Sequence, residues 1–113
     1  MADLTLRERI VGSVIAAAAS DALGAQYETK PPLPDTEVIE HRLSNWWLAG
    51  EWTDDTAMSY PILQAGTTGF DMSILAPTLD SIAEGWKDWI KNPKGSGGQT
   101  RAVLLSDDVQ SHT

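Results

Sequence analysis

The chain has 113 residues, 42% of them apolar, enough for one small domain or a part of a larger one. Sixteen acidic residues against eight basic ones give a formal charge of −8, which argues against a nucleic-acid binder and against an anionic membrane surface. Cysteine is absent, so disulfides, thiolate zinc sites, iron–sulfur clusters and cysteine nucleophiles are excluded. The charge-free run Ile10 to Ser20 falls short of the roughly 20 apolar residues a membrane span needs. Mixed signs at Arg7, Glu8 and Arg9, with Asp21 close behind, oppose a signal peptide. A cytoplasmic protein is expected.

In chain order, Thr5-Leu6-Arg7-Glu8 has the spacing of a capping box and predicts a helix to about Ala22, with Gly24 as its C-cap. Ile10, Val14 and Ala17 share one face and Val11, Ile15 and Ala18 the next, so the helix is apolar nearly all round and is expected in an interior. Pro31, Pro32 and Pro34 mark a loop, and Glu37 to Leu43 reads as either a short helix or a short strand. Thr53 is the expected N-cap of a second helix reaching about Ala65, ended by Gly66 and kinked or broken at Pro61. Leu75, Leu79, Ile82, Ala83, Trp86 and Ile90 set the clearest helical period, ending near Lys91. The loop Gly95 to Gly98 precedes a short helix, Thr100 to Leu105, and Ser106 to Thr113 form a polar tail. Four helices and no strand make the class all-α, with residues 1–105 as the folded part and 106–113 as the tail.

Thr53, Asp54 and Asp55 bring a hydroxyl and two carboxylates to one helix start. Such oxygens suit Mg²⁺, Mn²⁺ or Ca²⁺. The same tripeptide also reads as an ordinary helix N-terminus with acidic partners for its dipole. Asp21 ends an otherwise uncharged stretch and needs donors or a cation to stay ionised there. The role expected for it is a cap or acceptor for the Gly24 turn or for a neighbouring helix terminus. His41 and His112 sit in no constellation, and Asp107 and Asp108 read as solvated charge.

Ile10-Val11-Gly12, Asp21-Ala22-Leu23-Gly24-Ala25-Gln26-Tyr27-Glu28, Thr53-Asp54-Asp55-Thr56-Ala57-Met58, Trp86-Lys87-Asp88-Trp89 and Arg101-Ala102-Val103-Leu104 occur in an order that resembles the N-terminal portion of the ADP-ribosylglycohydrolases, over essentially the whole chain. The resemblance implies part of an orthogonal all-α domain, with two Mg²⁺ or Mn²⁺ ions in the intact family. It implies hydrolysis of the N- or O-glycosidic bond of ADP-ribosylated side chains. By the same resemblance Thr53, Asp54 and Asp55 are metal ligands, Glu28 is a mobile catalytic glutamate, and Gly97, Gly98, Gln99 and Thr100 line the ADP-ribose pocket. The chain departs from the family pattern at Ser20, where glycine is usual, and at Gly95, where an aspartate is common. The family's second metal motif, Asp-x-Asp followed by Thr or Ser, does not occur in it. At most one weakly held ion is therefore expected, and weak or no activity from this chain alone. Expected partners are an ADP-ribosylated protein or small ADP-ribose adduct, and either a complementary C-terminal fragment or a second copy over the apolar helices. The alternative is a non-catalytic ADP-ribose-binding or protein-interaction helical module.

Overall fold

The computed structural model describes residues 3–67 and 75–106. Among them are four α-helices and no strand: α1 (Leu6–Gly24), a single 3-10 turn (Ala25–Tyr27), α2 (Asp54–Thr67), α3 (Leu75–Trp89) and α4 (Gly98–Leu104). The chain divides into two compact units, residues 1–56 and 57–113. None of the helices is long and apolar enough to cross a membrane. The expected tail beyond Ser106, with Asp107, Asp108 and His112, lies outside the described residues.

In the first unit, α1 starts where the capping box requires. Glu8 N donates to Thr5 Oγ1 at 3.2 Å, and Thr5 N donates to Glu8 Oε2 at 2.8 Å, so two backbone donors of the first turn are satisfied reciprocally. Its end differs from expectation. Gly24 stays right-handed at φ −76° and the helix tightens into the 3-10 turn, with Ala25 N–H donating to Asp21 O. No left-handed glycine cap is needed, because the tighter turn itself takes up the last carbonyls.

The interior position expected for α1 is also corrected. Leu6, Ile10, Val11, Val14 and Ile15 are exposed, Leu6 at 65%, and Ala22 is the one buried residue of this helix. The buried part of the unit is displaced toward its C-terminal end, at Ala22, Ala25, Gln26, Trp47 and Thr53. Residues 37–43 form neither the short helix nor the short strand that the sequence left open. They are instead tied by side chains: Gln26 Nε2 and Tyr27 Oη both donate to Glu40 O, and Glu40 N donates to Tyr27 Oη. Ser44 Oγ accepts from Trp46 N and Trp47 N, a turn stabilised by its own hydroxyl.

In the second unit, α2 continues through Pro61 without the break that a missing N–H invites. The ring is buried and packs against Gly85 of α3. In the turn preceding the proline, Met58 O accepts the Trp86 indole N–H at 2.7 Å, so the disturbed stretch is stapled to α3. Ala65, Thr78, Ile82, Ala83, Ile90 and Leu104 complete the buried set. The helical period of α3 is the one expected, ending at Trp89.

A Cβ on Gly85 would stand 2.7 Å from Pro61 Cβ and 2.9 Å from Pro61 Cγ, against a ring that cannot swing away. Gly85→Ala is therefore expected to cost about 1–3 kcal/mol of overpacking. A Cβ at Gly66 meets nothing within 4 Å, and Gly66→Ala should gain up to about 1 kcal/mol from helix propensity. Urea unfolding of the two variants checks the opposite signs.

Candidate functional site

The site grows from the last turn of α1. Asp21 projects there a carboxylate that accepts four hydrogen bonds from the start of α2. Thr53 Oγ1 donates to Oδ1 at 2.6 Å, while Thr53 N at 2.9 Å, Thr56 N at 3.1 Å and Thr56 Oγ1 at 2.6 Å all donate to Oδ2. The two backbone N–H groups are donors that a helix start leaves without an acceptor. Asp21 thus caps α2 from a residue 32 positions away from Thr53. The expectation that it serves a neighbouring helix terminus is met in this arrangement, and the Gly24 turn does not use it.

Partial burial pushes the Asp21 carboxyl up, but the Thr53 and Thr56 hydroxyls and N–H groups outweigh it and hold the group below the ordinary aspartate range. A carboxyl depressed on folding contributes stability above its unfolded pKa. That contribution is lost as the pH falls through the lower, folded value.

Thr53 is 2% exposed, and its hydroxyl also accepts from Asp55 N at 3.3 Å. Asp54 and Asp55 follow in the first turn of α2. Neither carboxylate has an Arg, Lys or His within ion-pair distance among the described residues. Glu28 leaves the 3-10 turn on the same unit. Burial raises its pKa first, the charges of Asp54, Asp21 and Asp55 raise it further, and a hydrogen bond with the Trp47 side chain pulls the other way without prevailing. Directly after it, Thr29 sits at φ 61°, a left-handed conformation that a β-branched residue adopts only under constraint.

Four of the eight residues singled out from sequence, Glu28, Thr53, Asp54 and Asp55, therefore lie in one unit around one helix head. The chemistry of the donors, a hydroxyl oxygen and carboxylates with no counter-cation, fits a hard divalent ion. No group of three or more Asp, Glu or His side chains among the described residues is close enough to make a complete metal shell. The donor set in this chain is therefore partial.

Gly97, Gly98, Gln99 and Thr100 belong to the second unit. Gly97 is the N-cap residue of α4, and the other three form its first turn, so the helix begins at Gly98, two residues before the expected Thr100. Gly95, where the family pattern has an aspartate, takes φ 82°, a conformation glycine adopts without strain.

Three contributors had no assigned role from sequence: Thr56 as the second hydroxyl on Asp21, and the pair Gln26 and Tyr27, which fasten the loop after Glu28. The Thr53-x-x-Thr56 spacing was the available signal for the first, since it puts two hydroxyls around one helical turn. Trp47, whose side chain hydrogen-bonds Glu28, is buried, whereas Trp52 is 54% exposed.

An all-α chain whose second helix opens on a hydroxyl and two uncompensated carboxylates, held by an aspartate of the first helix, defines a helical scaffold with an acidic site. A family model described as ADP-ribosylglycohydrolase matches residues 2–112, and the chain belongs to that family. No curated protein and no solved structure matches it at a significant level.

Removing the Asp21 carboxylate strands four donors at once. Asp21→Ala is expected to destabilise the first unit by about 2–4 kcal/mol, the scale of losing hydrogen bonds to a charged acceptor. In the unaltered chain, acidification below the ordinary aspartate range should release the same contact. Far-ultraviolet circular dichroism followed against pH, with Asp21→Ala lacking this acid transition, checks both.

Proposed function

We propose that the chain takes part in hydrolytic removal of ADP-ribose from ADP-ribosylated side chains, with Thr53, Asp54 and Asp55 as ligands to Mg²⁺ or Mn²⁺ and Glu28 as the exchangeable carboxyl. The observation that carries this reading is the uncompensated negative charge around the head of α2, in a chain of that family. A divalent ion bound there would supply Lewis-acid and templating chemistry for ribose hydroxyls and a water.

The protein's own part in this reading is positional. Asp54 and Asp55 remain available for an ion because α2 satisfies its first N–H groups on Asp21 and not on its own carboxylates. Glu28 holds a proton more readily than an ordinary glutamate, the property wanted in a carboxyl that gives or takes one at its Oε atoms. Its backbone is restrained on the following side by the Tyr27–Glu40 and Gln26–Glu40 hydrogen bonds. Gly97 to Thr100 are proposed to meet the ADP-ribose through backbone N–H groups at the start of α4. The partners of this reading are an ADP-ribosylated protein or a small adduct. A complementary segment carrying Asp-x-Asp would complete the partial donor set.

Titration with Mn²⁺ should change the tryptophan emission saturably, because Trp52 adjoins the ligands, and Asp54→Ala should abolish the change. With the complementary segment supplied, ADP-ribosyl-arginine should be hydrolysed, and Asp54→Ala should lower the rate by at least about 100-fold. Binding of ADP-ribose without hydrolysis in that complex would favour a non-catalytic binding module instead.

A further inference from the structure

We infer that Asp21 is a positioning residue for the proposed metal site, fixing the polarity of the Thr53 hydroxyl so that a lone pair, and not the proton, faces an incoming cation. The inference rests on the metal reading above and adds a residue to it.

A threonine hydroxyl has one proton and two acceptor positions. The ionised carboxylate of Asp21 can only accept, so the 2.6 Å contact between Thr53 Oγ1 and Asp21 Oδ1 commits that proton toward Asp21. One lone pair takes the Asp55 N–H. The other remains, on a side chain too buried for water to reorient it freely. A hydroxyl turned the opposite way would present its proton to the cation and repel it.

The two carboxylate oxygens are not equivalent, and this makes the idea testable. Oδ2 faces two backbone N–H groups, which cannot reverse, whereas Oδ1 faces only the Thr53 hydroxyl, which can. An asparagine at position 21 must therefore turn its carbonyl oxygen to the N–H groups and its NH₂ to Thr53. The NH₂ would occupy the Thr53 lone pair and drive the hydroxyl proton outward. Asp21→Asn thus keeps the cap of α2 and inverts the ligand.

The test compares Mn²⁺ affinity with amide hydrogen exchange at Thr53 and Thr56 in the unaltered chain, Asp21→Asn, Thr53→Val and Thr56→Ala. Asp21→Asn is expected to weaken Mn²⁺ by about 10- to 100-fold, the range seen when partners of metal ligands are lost. Its Thr53 and Thr56 amides should stay protected. Thr53→Val should weaken Mn²⁺ similarly. Thr56→Ala removes a hydrogen bond to Asp21 from a residue that is no ligand, and should leave the affinity within about twofold, the scatter of context effects. A purely structural Asp21 predicts the reverse pattern, affinity falling only as protection falls and equally for Thr53 and Thr56; that result overturns the inference. Equal Mn²⁺ binding by Asp21→Asn and the unaltered chain overturns the inference alone. An unaltered chain inert to Mn²⁺ overturns the metal reading and this inference with it.

Discussion

A single carboxylate organises the first unit. Between the 3-10 turn and α2 the chain runs from Glu28 to Thr53 without regular structure, and closing a loop of that length on itself carries an entropic cost. Asp21 holds the two ends together with four short contacts to a charged acceptor, roughly twice as strong as neutral ones. The loop between gains its order from smaller ties that close on this frame, at Glu40 through Gln26 and Tyr27, and at Ser44 through its own turn. The Asp21 knot also settles where the helix begins. α2 starts at Asp54 because the donors just before and within its first turn already have an acceptor.

From that placement the electrostatics follow. A helix start attracts negative charge, and Asp54 and Asp55 sit there with their carboxylates unneeded as caps. The same donors that lower the pKa of Asp21 leave its charge in place, so three carboxylates act on Glu28 without a cationic neighbour to offset them. Two groups of one kind, a few residues from one another in space, are thus pushed in opposite directions: Asp21 toward ionisation by hydrogen bonds, Glu28 toward protonation by burial and repulsion. A hydrogen bond with the side chain of the buried Trp47 works against that repulsion. Such divergence is produced by environment alone and is a common mark of sites that do chemistry.

How much of this the sequence carried depended on whether the determining contact was local. The capping box at Thr5 and Glu8, the period of α3 and the start of α2 at Thr53 are written within a few residues, and all three hold. Gly24 was misleading because a glycine marks a possible left-handed cap without requiring one. Pro61 was misleading because the relief of its break comes from Gly85 and Trp86, more than twenty residues on. Glu37 to Leu43 sets neither a helical nor a strand period, with apolar residues only at Val38, Ile39 and Leu43, so its course is decided by the distant contacts of Glu40 with Gln26 and Tyr27. For the site, Asp21 was legible as a charge in need of donors, since it follows an uncharged helix. Its partners were not, because nothing local ties position 21 to positions 53 and 56. Gly98 reads as loop because it closes a run of glycines, yet α4 begins at it.

The two ends of α1 are under different constraints. Its last turn is buried at Ala22 alone and is bound through Asp21 and the following Gln26, while Leu6, Ile10 and Ile15 stand exposed on the preceding turns. A helix of this length gains little from propensity alone, and most helical stability comes from packing. The N-terminal turns of α1 therefore rely on the capping box and on propagation from the anchored end. The apolar side chains of α1 are in consequence not what fixes Thr53, Asp54 and Asp55 in place. They stand exposed, on a surface more apolar than a solvated helix needs. Geometry at the acidic site and coverage of α1 are thus separable properties of one helix, joined only through the backbone between Ile15 and Asp21.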